Sequence, residues 1–284
     1  SNPVIIEKGD NNILTLNQNS ITIPDAVAKG YPQGTIEFMV KVNALNGSLN
    51  KMGSDNGNFI VNISASGQVV AGWSTKNASD YVSTAAGTIK TGKWYHVAVT
   101  IDNSDIAIYI DGMKKKSGSS TSYSGMPALG NFTIGLDGTP MDASIDEFRV
   151  WKTARTMSEI YSGKDETISN PAALNDLLIY LPMNLIESEG ETKVREYALA
   201  NHAFFANQDY KQSVDNTILT GSKLSTALSI VGESDSVTAG TPVKYSATCP
   251  ISTTSWQWST PGAENSSYTS QSPYIVYNKA GKYT

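Results

Sequence analysis

Cysteine is nearly absent from this 284-residue chain. The single Cys249 excludes an intrachain disulfide and any cysteine-clustered zinc site. Histidine is as scarce, with only His96 and His202. No run of about 18 apolar residues occurs, which excludes a helical membrane span. Charge is thin too: Asp, Glu, Lys and Arg make up 17% of residues, against about 25% in an ordinary globular domain. Nor is there a basic excess. The 21 Lys and Arg face 26 Asp and Glu, a net charge of −5, whereas a nucleic-acid binder carries a basic face. Ser1-Asn2-Pro3-Val4 shows neither the basic nor the apolar portion of an export signal, so no signal or anchor is expected in this chain.

What is present suits strands. Hydrophobic residues reach 39%, enough for a real core, and 14 Tyr outnumber 6 Phe. Apolar residues alternate with period two: Ile36, Phe38, Val40 and Val42 share one face, with Glu37, Met39 and Lys41 on the other. Phe59, Val61 and Ile63 repeat the pattern. Trp94 to Thr100 and Ile106 to Ile110 read as two strands about a short polar loop, and Asp111-Gly112 then tolerates the positive φ of a tight hairpin. Further strands fit Gln68 to Trp73, Asn131 to Leu136, Ala143 to Trp151 and Leu177 to Leu181. Short strands with frequent turns predict an all-β sandwich or jelly roll, with Ile36, Phe38, Val97, Val99, Ile108 and Phe148 inside.

One short helix stands out at Thr156-Met157-Ser158-Glu159, a capping box, with Gly163 as the expected C′ stop. Glu187 to Asn207 fits neither helix nor strand decisively. The expected organisation is a first domain over 1–212, a linker over 213–228, and a second β unit over 229–284. In the last, Val243 to Ser246 and Ser255 to Ser259 read as strands, and Pro261-Gly262 and Ala280-Gly281 as turns.

Two motifs carry a resemblance. The first is Gly92-Lys93-Trp94-Tyr95-His96-Val97-Ala98-Val99-Thr100 followed by Ile110-Asp111-Gly112. The second is Phe132-Thr133-Ile134-Gly135, then Ser144 through Trp151, then the helix with Glu159-Ile160. With Gly34-Thr35-Ile36-Glu37-Phe38-Met39-Val40, they resemble the concanavalin A-like, laminin-G/pentraxin-like domains of bacterial surface proteins, over about residues 11–210. Leu178 to Met183 resembles a strand that often opens such domains; here it comes last, which implies a closing strand. The C-terminal unit resembles a polycystic-kidney-disease (PKD) repeat through Trp256-Gln257-Trp258, Ser272-Pro273, Val276-Tyr277 and Gly281-Lys282-Tyr283-Thr284. In that family the last of these turns leads into a final strand, so the unit is expected to be incomplete and the parent chain longer.

The resemblance directs the search for chemistry. Glucanases of this fold carry their carboxylates as Glu-x-Asp-x-x-Glu on one strand, and no such string occurs. Asp146 and Glu147 are adjacent, so on a regular strand they point to opposite faces and cannot act as a pair. His96 shares a strand face with Trp94 and Ala98 and reads as packed and hydrogen-bonded. His202 has no ligand spacing to it. A pentraxin-like calcium site is implied by Asp55, Asn56 and Asp137, with Asp142 on the same connection as Asp137; calcium takes six to eight oxygens, and the alternative is ordinary turns. Trp94 and Trp151 fall in core motifs. Trp73 ends a strand beside a polar loop, so Trp73, Tyr81 and Asn77 are candidates for stacking on and hydrogen-bonding a sugar, with a core position the alternative for Trp73. Lys114-Lys115-Lys116 reads as a solvated hairpin edge.

The expected function is therefore a non-catalytic carbohydrate-binding or adhesion module of a secreted or cell-surface bacterial protein. Its expected partner is a glycan, a cell-surface polysaccharide or a glycoprotein; no nucleic-acid partner and no transmembrane segment are expected, and the state is monomeric. Two alternatives stay open: a part of, or a divergent, glycoside hydrolase, and a structural adhesin segment that spaces other domains.

Overall fold

The structure, a computed structural model, describes residues 11–45, 50–54, 59–73, 80–135, 141–168, 170–188, 190–198, 202–206, 210–214, 229–232, 237–248 and 257–281. The chain divides into two compact units, Ser1–Thr220 and Gly221–Thr284.

The first unit is a sandwich of two antiparallel sheets, as the alternating pattern requires. One sheet runs in spatial order β10 (Met113–Ser119), β9 (Asp105–Ile110), β8 (Trp94–Asp102), β3 (Gln33–Val42), β12 (Met141–Trp151), β1 (Asn12–Asn19), β17 (Tyr210–Val214), with strands numbered in chain order. A further strand, β13 (Leu177–Leu181), pairs with the C-terminal half of β12. The second sheet runs β14 (Leu185–Ser188), β15 (Glu191–Val194), β16 (Ala203–Phe205), β2 (Ile21–Val27), β11 (Gly130–Ile134), β4 (Asn50–Ser54), β5 (Ile60–Ile63), β6 (Val69–Gly72), β7 (Tyr81–Ser83).

The inward residues of both sheets form one core. Ile36, Phe38, Val97, Val99, Ile108 and Phe148 are all fully buried there, as the period-two reading predicts. Phe148 is its centre: its ring lies 6.2 Å from that of Phe38 and 5.5 Å from that of Phe132, joining the two sheets. The Asp111-Gly112 hairpin forms as expected, with φ of 51° and 79°, and joins β9 to β10.

Several expectations need correction. Asp146 and Glu147 do not alternate. The register of β12 on β3 jumps between Asp146 and Arg149, and Glu147 takes a φ of 49° there. Such a bulge inserts an extra residue and breaks the two-fold alternation. Helix α1 (Met157–Gly163) has the predicted capping box at Thr156, but Gly163 is its last residue and Lys164 caps it in the right-handed region. The undecided stretch 187–207 contributes to three strands, β14, β15 and β16. Nor does β13 close the domain: the chain goes on through β14 to β16, and β17 then pairs with β1, carrying the first unit past the expected boundary at 212.

The second unit has a three-stranded sheet of β18 (Ser229–Gly232), β19 (Val243–Thr248) and β22 (Tyr274–Ile275), and a pair, β20 (Trp258–Ser259) with β21 (Ser267–Tyr268). Val243, Ala247 and Ile275 are its buried apolar residues among those described. Ser255 and Trp256, read as part of a strand, lie outside the described residues.

Candidate functional site

The outward face of the eight-stranded sheet carries most of the buried charge. Glu37, His96, Glu147 and Arg149 are at most 2% exposed. They sit outside the core, under α1 and the segment that follows it. Arg149 ties this cover to the sheet, pairing with Glu147 and donating to the carbonyls of Gly163, at 2.9 Å, and Glu166. The Tyr180 hydroxyl donates to Glu147 at 2.9 Å and accepts from the Ile168 amide at 3.0 Å. Glu37 accepts from the Trp151 indole at 2.8 Å and lies 3.5 Å from Arg149.

Burial pushes the Glu37 carboxyl up, but Arg149, His96, Arg155 and the Trp151 hydrogen bond together hold it below its ordinary value. Burial, with the neighbouring Glu147, pushes Asp146 well up. His96 is lowered to about 4, because burial outweighs the attraction of Glu37, whose Oε2 lies 3.7 Å from Nε2. The expectation of a hydrogen-bonded His96 fails: among the described residues neither ring nitrogen has a hydrogen-bond partner. His202 is satisfied, its Nδ1 accepting from the Glu196 amide at 3.2 Å. Glu37, Asp146 and Glu147 all lack solvent access, so none is placed to meet a substrate. The cluster anchors the helix to the sheet. Composition gave no sign of it, since Glu37 reads as one polar residue on an outward face.

The accessible site lies elsewhere, where an edge strand of each sheet runs beside the other. A cleft of about 480 Å³ opens between β7 and β10, with Trp73, Asp80, Tyr81, Lys116 and Ser120 among its lining. The close approach depends on Gly118, where a Cβ would lie 2.7 Å from Val82 Cγ1. Trp73 and Tyr81 thus share one cleft, but in different roles. Tyr81 is 39% exposed, whereas Trp73 is 2% exposed and cannot offer a ring face to a ligand. Its indole donates to the Gly125 carbonyl at 3.1 Å, and Phe59 packs edge-on against it. Its remaining face is covered by Tyr123, stacked at 6.0 Å and 16°.

Tyr123, like Tyr81, reaches solvent, at 43% exposure. Ser120 fixes it in place: its Oγ donates to Asp80 Oδ1 at 2.7 Å and accepts from the amides of Ser122 and Tyr123 at 3.0 and 2.9 Å. The signal was available, a lone aromatic inside the small polar run 119–125. The arrangement is a supported aromatic face beside hydroxyls and a lysine, which suits a polyol with one apolar face.

Asn77, Asp55, Asn56 and Asp137 lie outside the described residues. Asp142 is half-buried on β12 and accepts from Asn43 Nδ2 at 3.0 Å. Among the described residues no cluster of three His, Cys, Asp or Glu is placed to hold a metal.

The comparisons agree with this architecture. A crystal structure of a candidate carbohydrate-binding protein from Bacteroides ovatus superposes with a TM-score of 0.60 at 18% identity, over 74% of this chain and 62% of that one. The chain thus spans less than two thirds of that structure's length. The heptameric SAP-like pentraxin of Limulus polyphemus gives a TM-score of 0.48 at 16% identity, over 74% of this chain and 97% of its own. At 18% identity the likeness to the Bacteroides ovatus structure is one of fold. No curated protein matches the sequence. Residues 15–161, from β1 into α1, match the family model described as the concanavalin A-like lectin/glucanases superfamily, and the chain belongs to that family.

Proposed function

We propose that the first unit is a non-catalytic carbohydrate-binding module whose ligand seats in the cleft between β7 and β10. The observation that carries this reading is exposed Tyr81 in the lining of the cleft, together with exposed Tyr123, which stacks on the cleft-lining Trp73 and is held by the Ser120–Asp80 knot. A sugar's apolar face stacks on such a ring while its hydroxyls reach polar side chains. A rigid ring loses little side-chain entropy on binding. The name of the Bacteroides ovatus structure points the same way. The non-catalytic part of the reading is supported by Glu37, Asp146 and Glu147, the carboxylates gathered on β3 and β12, which are all buried.

The reading places the module in a secreted or surface-attached bacterial protein, with the C-terminal unit as a PKD-like spacer. Among the described residues no helix is long and apolar enough to cross a membrane. Calcium bound by Asp55, Asn56 and Asp137, with Asp142, would be a further ligand of the module.

A glycan array followed by calorimetric titration tests the proposal. Tyr123→Ala and Tyr81→Ala are each expected to weaken the captured glycan about threefold to tenfold. Retention of no glycan, or affinity equal to the parent's in both variants, sinks the reading.

A further inference from the structure

Strand β10 carries three consecutive lysines in a chain of net charge −5. On a regular strand Lys114 and Lys116 would share a face. The register of β10 on β9 prevents this. Lys114 pairs with Tyr109 and Lys116 with Ile108, so Lys115 is an extra residue in a β-bulge. Paired residues share a face. Tyr109 faces α1 on the outside of the sheet, and Ile108 faces the core. The bulge therefore sends Lys114 to the outer face and Lys116 to the inner one.

Each lysine meets a cleft. Lys116 lines the one between β7 and β10. Lys114 lines a second, of about 370 Å³, on the outer face. The second cleft is a trough whose floor is the cross-strand row Thr100, Ala107, Ser117. Asp102 and Asp105 stand on one rim. Lys114, 5.7 Å above the Tyr109 ring, stands on the other. Arg155 closes the inner end, held by its stack on Trp151 at 4.2 Å and by donation to the Glu159 carbonyl at 3.0 Å. The two clefts share Ile106, Ser117, Gly118 and Ser119, and so lie back to back across one edge strand.

We propose that these clefts are successive subsites for one acidic oligosaccharide that crosses β10, with carboxylate-bearing sugar units on Lys114 and Lys116. This rests on the carbohydrate-binding reading and adds the ligand's class, a uronate-containing chain. The sides of the trough divide the work. Lys114 and Arg155 face a carboxylate, while Asp102 and Asp105 repel it and accept sugar hydroxyls. Lys115, the bulge residue, is exposed and lines neither cleft. Its role is geometric.

The test uses the full chain and hexasaccharides of galacturonate, of mannuronate and of hyaluronan, each beside its carboxyl-reduced form. At least one acidic form should bind about tenfold or more tightly than its reduced partner. That preference should shrink with salt. Lys114→Ala and Lys116→Ala should each remove part of it and the double variant most of it, the remainder resting on Arg155, while Lys115→Ala leaves it intact. Disaccharides, too short to cross the strand, should respond to one lysine and not to both. If acidic and reduced forms bind equally, and that binding still needs Tyr123, the carbohydrate reading stands and the acidic class is wrong. Equal losses in all three lysine variants overturn the bulge argument and leave only diffuse charge. If no saccharide, acidic or neutral, is retained, both proposals fall.

Discussion

His96 gives a direct handle on the buried cluster. The imidazole lies on β8 and faces Glu37 from β3, Arg149 from β12, and Lys164 and Asp165 just after α1. In the unfolded chain it titrates at its ordinary 6.5; in the fold burial lowers this to about 4. A base with a depressed folded pKa stays neutral in the native state while the unfolded chain takes up the proton. Stability is therefore full above 6.5, falls as the pH drops towards 4, and loses nothing further from this group below that. A gap of about 2.5 pH units is worth about 3 kcal/mol in full, and about 2 kcal/mol of that is lost by pH 4.5. Other groups titrate nearby. Glu37, held low, loses its contribution only at more acid pH, and Asp146, held high, gains stability as the pH falls. Asp146 is common to the parent and to His96→Gln, and Glu37, although His96 helps to hold it low, titrates below the pH range compared, so the difference between the two proteins reports the imidazole. Urea unfolding of both at pH 7 and pH 4.5 is the assay, with amide exchange on β3 and β8 assigning the transition to the first unit. The parent should lose about 2 kcal/mol more than the variant between the two pH values. An identical acid loss in the two proteins would falsify the claim that His96 is held neutral in the fold.

Gly112→Ala tests the seat of α1: the position has a φ of 79°, and a Cβ there would lie 2.7 Å from Tyr161 Cδ2 and 2.9 Å from its Cα. The variant should lose about 1–3 kcal/mol in thermal or urea unfolding, and an unchanged midpoint rules out the close contact. If Asp55, Asn56 and Asp137 gather a calcium ion, calcium at a hundredfold excess over its dissociation constant stabilises the protein by about 2.7 kcal/mol. Superimposed melts in millimolar calcium and in chelator sink this, as does a calcium shift that survives Asp55→Ala. Among the described residues the buried core of the main sandwich lies between Leu14 and Ala203, so deletion of 229–284 should leave the first unit's melting temperature within a few degrees; a larger drop shows that its stability depends on the second.

The sequence disclosed what repeats and hid what is made across distance. Period-two alternation identified β3, β5, β8 and β9 and the inward set around Phe38 and Phe148, because a strand's two faces differ in solvent and the residues record it. The hairpin at Asp111-Gly112 and the capping box at Thr156 were legible for a similar reason, each being set by neighbours within three positions. Bulges leave no such mark. The one at Glu147 undid the argument that adjacent carboxylates diverge, and the one at Lys115 turned a plain lysine run into two cations on opposite faces. Both depend on the partner strand's register, which one strand's residues do not record. The same limit explains Trp73. A tryptophan beside a polar loop fits an exposed platform or a core residue equally well, until Tyr123, fifty positions on, covers its ring. Tyr123 is the exposed member of that pair, stacked on Trp73 where Trp73 lines the cleft, and Trp73 serves as its support. Aromatic–aromatic contact of this kind is worth about 0.5–1.5 kcal/mol beyond burial, enough to hold Tyr123 in place before a ligand arrives. Trp73→Ala should therefore weaken glycan binding although the indole touches no ligand, and Trp73→Phe, which keeps a stacking ring, should restore most of it. Recovery by Phe separates support of Tyr123 from simple loss of fold, while full affinity in Trp73→Ala would show that Tyr123 needs no support.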